Sequence, residues 1–139
     1  MSTTPVSLSR RGAAAILTIE RPDRLNSLSR DTLLTLGQLA RQAIADQDVR
    51  AIVVTGTGDK AFCAGADLKE RQGMDENAVR LQLGLYRDEM GVLDRSPKPV
   101  IAALNGVAQR LHRSWDIGWG NERCVSLINQ VATPRKIKP

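Results

Sequence analysis

Two runs near the start of the chain, Val6 to Arg10 and Ala14 to Glu20, have strand character and are joined at Arg11-Gly12, which predicts a β-hairpin. Between Arg30 and Asp46 the period changes: Leu33, Leu36, Ala40, Ala43 and Ile44 fall on one face at helical spacing, with Ser29 placed to cap the helix. Ile52-Val53-Val54, within Arg50 to Thr55, is a β-branched run suited to a buried strand, and Gly56 to Lys60 reads as a turn. A second helix fits Asp75 to Leu93, with Val79, Leu83, Tyr86, Met90 and Leu93 on one stripe, although Gly84 and Gly91 weaken it. Pro99 stops helical structure, and Val100 to Leu104 makes the next strand. The resulting order, β-β-α-β-α-β, predicts an α/β fold.

The periodicity fades after Ala108. Gln109 to Asn121 has no clean apolar period, Val125 to Val131 suits a strand or a helix, and Pro134 to Pro139 is basic and flanked by prolines. Charge changes at the same point. The chain of 139 residues carries a formal charge of +5, of which residues 1–106 contribute +1 and residues 107–139 contribute +4. Both tryptophans and the only histidine also lie beyond residue 108. This divides the chain into a core, 1–108, and an atypical basic tail, 109–139. No apolar run approaches the ~20 residues that a membrane-spanning helix needs. Met1 to Val6 lacks the charged-then-apolar pattern of a secretory signal, and two cysteines build no disulfide framework, so the expected location is a reducing cytoplasm.

The richest local signal is Phe62-Cys63-Ala64-Gly65-Ala66-Asp67-Leu68-Lys69-Glu70-Arg71. Small residues around a glycine let backbone N–H groups come close to a ligand. The Asp that follows suits a helix N-terminus, with Glu70 three residues on in a capping-box relation. N–H groups aimed from such a loop into a pocket stabilise a developing negative oxygen. This string resembles the signature of the enoyl-CoA hydratase/isomerase (crotonase) family. Arg21-Pro22-Asp23-Arg24-Leu25-Asn26-Ser27-Leu28 and Lys98 to Ala108 resemble two further family segments, in family order and at family-like spacing. The resemblance covers residues 5 to 108, and Asp67 to Arg71 is similar to the methylglutaconyl-CoA hydratase branch.

The resemblance implies the N-terminal part of a crotonase-like ββα spiral. It also implies an activity: hydration of a 2-enoyl-CoA thioester, a lyase reaction of fatty-acid metabolism. Such a reaction needs a polarised thioester carbonyl, a carboxylate to activate water and a proton for the alpha carbon. By resemblance the Ala66 N–H is one of two oxyanion-hole donors, the loop Ala64, Gly65, Ala66, Asp67 and Leu68 cradles the acyl-CoA, and Arg24 meets a CoA phosphate. No separate cofactor is implied, because coenzyme A is part of the substrate.

Plainer readings stand beside these. Arg24 suits a solvated loop arginine equally well, Asp67 suits a structural cap, and Cys63 between Phe62 and Ala64 suits a buried inert thiol. Thr55-Gly56-Thr57-Gly58 lacks the third glycine of a nucleotide fingerprint. His112 has no companion acid or nucleophile nearby, and no metal-ligand spacing exists. One relative of the family binds RNA through a lysine-rich first helix. The matching helix here, Arg30 to Asp46, contains no lysine, so no specific nucleic-acid partner is expected, nor a membrane one.

The pattern breaks at the tail. The family's glycine triplet should occupy 110–112, which hold Arg110, Leu111 and His112. Its glutamate should fall at 114, which is Ser114, and no acidic residue follows Glu122 to serve as the second carboxylate. Gln109 to Arg113 with Ile117-Gly118, and Leu127 to Val131, faintly resemble later family stretches, so the tail reads either as a deletion join or as frame-shifted sequence. Family members form homotrimers or hexamers through a C-terminal region with no counterpart here. Two behaviours are therefore expected of the chain: a hydratase-type lyase by family with the second half of its site missing, or a non-catalytic remnant with weak or no CoA binding.

Overall fold

The computed structural model describes residues 4 to 108; the tail 109–139, with its expected triplet and carboxylate positions, lies outside them. Strands β1 (Val6–Arg11) and β2 (Ala14–Ile19) form the antiparallel hairpin. Its loop is Gly12-Ala13, one residue later than the Arg11-Gly12 expected, because Arg11 still pairs with Ala14. Gly12 takes the left-handed conformation (φ 61°) at the first loop position, which only a residue without Cβ adopts without strain. Helix α1 (Arg30–Ala45) then crosses to β3 (Ala51–Gly56), parallel to β2. Strand β5 (Val100–Ala102) lies parallel on the far side of β3 and completes a four-stranded sheet of order β1-β2-β3-β5.

The period-2 and period-3.6 patterns converge on one core. Ala15, Leu17 and Ile19 of β2, Ile52 and Val54 of β3 and Val100 and Ala102 of β5 are buried against Leu33, Leu36, Ala40 and Ala43 of α1. Ser29 caps α1 as its position predicts, its side chain accepting from the Thr32 N–H.

Two short strands escaped the sequence reading. β4 (Ala61–Cys63) and β6 (Val107–Ala108) pair in parallel as a second, two-stranded sheet. At two and three residues they are too short to show a period, and the pairing between distant segments defines them. Between β4 and β5 lie α2 (Leu68–Gln72), α3 (Glu76–Leu85), a π-helical turn (Tyr86–Met90) and α4 (Gly91–Asp94).

The expected single stripe on Asp75 to Leu93 is only partly correct. Tyr86, Met90 and Leu93 are buried, but Leu83 is 45% exposed and Gln82 is buried in its place. Gln82 Nε2 donates to Glu70 Oε1 at 2.9 Å, which turns that face of α3 inward and carries Leu81 and Leu83 outward. The π-turn packs against α1 through Glu89, whose carboxylate receives both terminal nitrogens of Arg41 (3.0 and 3.3 Å) directly over Gly37.

A Cβ at Gly37 would overlap the Glu89 carboxylate, so Gly37→Ala should destabilise the chain by about 1–3 kcal/mol. In a Glu89→Ala background the same change should cost much less, because the overlapping group is gone. Urea denaturation of the four variants measures the coupling, and additive effects would show that the two sites do not meet.

Candidate functional site

The loop that follows β4 is laid beside the segment that leads into α1. Leu28 N–H donates to Gly65 C=O at 2.7 Å, and Asp67 N–H donates to Leu28 C=O at 3.2 Å. These two bonds make a one-residue parallel bridge between Leu28 and Ala66. In such a bridge the bonds flank the opposed residue, so Ala66 itself takes no part and its own N–H and C=O face away from Leu28. Gly65 reaches this geometry with φ 98°, a left-handed value that would strain any residue with a side chain.

Neighbouring N–H groups already have acceptors. Ala64 N–H donates to Leu25 C=O at 3.0 Å and Gly65 N–H to Cys63 Sγ at 3.4 Å. Among the described residues the Ala66 N–H has none. A half-buried backbone donor held on both sides and pointed off the bridge can stabilise a negative oxygen brought against it.

Asp67 is the N-cap of α2, its Oδ1 accepting from the Glu70 N–H at 3.2 Å, and it is engaged further by Arg21, Nη2 to Oδ2 at 2.9 Å. The reciprocal half of the expected capping box is absent. Glu70 Oε1 instead accepts from the Arg30 N–H and from Gln82, because Asp67 N–H is already committed to Leu28. Burial alone would raise the Asp67 carboxyl. The Arg21 hydrogen bond and charge, together with the N–H groups of Glu70 and Lys69, outweigh it and hold the carboxyl below the usual carboxylate range. Asp67 and Glu70 are thus both occupied, and neither is available as a free base.

Cys63 is buried, and desolvation pushes its thiol up to about 11 against a smaller opposing effect of the Gly65 N–H. It remains a neutral thiol at physiological pH, in line with the inert reading. Leu68 is 69% exposed and Leu25 49%, so apolar surface flanks the loop on two sides. Arg24 is exposed on a 3₁₀ turn (Pro22–Arg24) and lines a polar cleft of about 280 Å³. Glu20, Asp23 and Asp31 line the same cleft, and its other cation, Arg21, is paired with Asp67, so the acids would oppose an anion there and favour the solvated-arginine reading. Among the described residues no group of three His, Cys, Asp or Glu is arranged to hold a metal, and no helix is long and apolar enough to cross a membrane.

Three supporting residues have no site role in the sequence pattern: Arg21 and Asn26 stand there only as part of a resembling segment, and Tyr86 only as part of a helical stripe. Leu25 and Asn26 both take left-handed φ values, 53° and 55°. Asn26 stabilises that bend with its buried amide, Nδ2 donating to Thr57 C=O (3.1 Å) and Ala61 C=O (2.8 Å) and Oδ1 accepting from the Arg21 N–H (2.9 Å). An Asn inside a segment already marked by resemblance was the available signal, since Asn tolerates this region better than most residues.

The sequence profile of the enoyl-CoA hydratase/isomerase family matches residues 9–110. The short-chain-enoyl-CoA hydratase of Clostridium acetobutylicum is 38% identical over 109 residues, which cover 78% of this chain and 41% of that protein. The crotonyl-CoA hydratase of Syntrophomonas wolfei is 35% identical over 103 residues, covering 74% and 40% respectively. Among solved structures, an enoyl-CoA hydratase from Bacillus anthracis superposes with a TM-score of 0.72 at 39% identity, over 75% of this chain and 41% of that one. The chain therefore spans about two fifths of the length of the relatives it matches.

Two outcomes test this geometry. Asn26→Gly and Asn26→Ala should both destabilise the chain, and Ala by about 1 kcal/mol more, since only Gly adopts the left-handed bend without cost. Equal losses in thermal unfolding would remove the strain argument. For Asp67 the folded carboxyl lies lower than the unfolded one. Its stabilisation is therefore present above the unfolded pKa of ~3.9 and is lost as pH falls through the folded value. Asp67→Asn should cost stability at pH 7, and the gap to the unmodified chain should close toward pH 2. Urea titrations that give the same gap at both ends would contradict the sign.

Proposed function

Because the chain belongs to the enoyl-CoA hydratase/isomerase family, we propose that its Ala64–Leu68 loop binds an acyl-CoA thioester and polarises the carbonyl through the Ala66 N–H, for hydratase-type chemistry. The observation that carries this reading is the Leu28–Ala66 bridge, which leaves that one N–H unengaged among the described residues and aimed off the strand. In hydration, the oxygen of water bonds to C3 of the 2-enoyl thioester as one of its O–H bonds breaks and that proton passes to a base, while the C2=C3 π electrons move toward the carbonyl oxygen. The oxygen gains enolate character, which a fixed N–H donor stabilises. A proton then reaches C2, and the carbonyl re-forms. Leu25 and Leu68 offer apolar surface to the thioester or acyl portion, whereas Arg24, with Glu20, Asp23 and Asp31 in its cleft, is read as a solvated arginine and not as a phosphate contact.

Beside the Ala66 donor, the two nearest carboxylates along the chain, Asp67 and Glu70, are held by structural partners. A second reading, a non-catalytic acyl-CoA binder, is favoured by one specific observation: Arg110, Leu111, His112 and Ser114 stand where the family's glycine triplet and glutamate are expected. The two readings share the loop and differ in turnover.

Crotonyl-CoA consumption, followed by the enoyl-thioester absorbance with the full chain, separates them. We expect no measurable hydration, since one missing oxyanion donor alone costs about 10²–10³ in rate and the general base is a further loss. Acetyl-CoA should still bind, with an affinity nearer millimolar than micromolar, because a ligand held on one wall buries little of its surface. Turnover near that of a full-length relative would overturn the non-catalytic reading. No displacement of any resonance of residues 64–68 by acetyl-CoA would overturn the thioester site.

A further inference from the structure

We infer that Tyr86 is a positioning residue for the Ala66 donor, holding the Leu28 carbonyl around which the loop is built; this rests on the thioester reading above. The Tyr86 hydroxyl is buried and donates to Leu28 C=O at 2.8 Å. The same oxygen accepts the Asp67 N–H at 3.2 Å, so its two lone pairs have two donors. One donor comes from the loop and the other from a helix 58 residues away in sequence. Removing the hydroxyl would free the Leu28 peptide to tilt, and the bridge would carry Ala66 with it.

Tyr86 stands on packed support. It is the first residue of the π-turn, a widened turn that recurs at functional sites. Four residues on, Met90 lies in the core. Between them Glu89 is locked to Arg41 of α1, and Leu28 immediately precedes the Ser29 cap of the same helix. One helix thus fixes both the hydroxyl and the carbonyl it holds. Burial raises the Tyr86 pKa above its ordinary value, so the group stays protonated and remains a donor. A hydroxyl bonded to backbone has no proton to offer a substrate, so its influence passes through Leu28.

The test compares the full chain with Tyr86→Phe and with Ile52→Val, a buried change in β3 that lowers stability away from the loop. Amide hydrogen exchange is read in the free protein, and the carbon-13 shift of carbonyl-labelled acetyl-CoA is read on titration. We expect Tyr86→Phe to speed exchange at the Leu28 and Asp67 amides about fivefold to tenfold relative to the β3 amides. It should also reduce the displacement of the bound carbonyl resonance to less than about half. Ile52→Val should change neither ratio. If Tyr86→Phe leaves both readouts as in the unmodified chain, the inference is wrong. If the exchange effect is present but the acetyl-CoA carbonyl never moves in the unmodified chain, the thioester reading falls, and Tyr86 is a loop anchor with no ligand to serve.

Discussion

The backbone of a single residue, Leu28, organises the site. Its N–H and C=O are given to Gly65 and Asp67, and this fixes the residue between them with its own N–H facing outward. Only a further strand on the far edge of the loop would engage the Ala66 N–H. A bridge of one residue orients the loop while leaving Ala66 uncommitted on its far side. The β4–β6 pair upstream and the Asp67 cap downstream hold the loop at its two ends.

That arrangement is strained, and the strain is offset locally. Two consecutive left-handed residues cost roughly 1–2 kcal/mol each. Against this stand the three hydrogen bonds of the buried Asn26 amide, each contributing about 0.5–1.5 kcal/mol. The Leu25 carbonyl adds a further bond by accepting from Ala64 N–H. Asn105 works from the other side, donating to Gly58 and Ala61 carbonyls and accepting from Gly56 N–H. Two asparagine side chains thus grip the same turn, and Ala61 C=O receives both. The Arg21–Asp67 pair, with side chains 18% and 11% exposed, adds direction more than net stability, since desolvation offsets much of the attraction between mostly buried charges.

The chemistry available follows from what these bonds consume. Asp67 and Glu70 lie beside the loop, yet each carboxylate has structural partners. What stays unengaged among the described residues is the Ala66 N–H, with apolar flanks at Leu25 and Leu68.

Amino-acid order alone determined the elements whose patterns are local. The hairpin, α1 with its Ser29 cap, the β3 run and the glycine loop all declare themselves through period, turn chemistry or composition within a few residues. The Ala64–Leu68 loop and its family were legible for the same reason. What the order of residues left open was settled by contacts across the chain. Strands of two and three residues have no period, so β4 and β6 exist only because they pair. Gln82 is buried in place of Leu83 because Glu70 reaches it, and Glu70 forgoes the capping box because Leu28 has already taken the Asp67 N–H. The role of Tyr86 depends on a carbonyl 58 residues earlier, and no local window contains both. Hydrophobic period reports which face is buried, whereas hydrogen-bond partners are chosen only once distant segments meet.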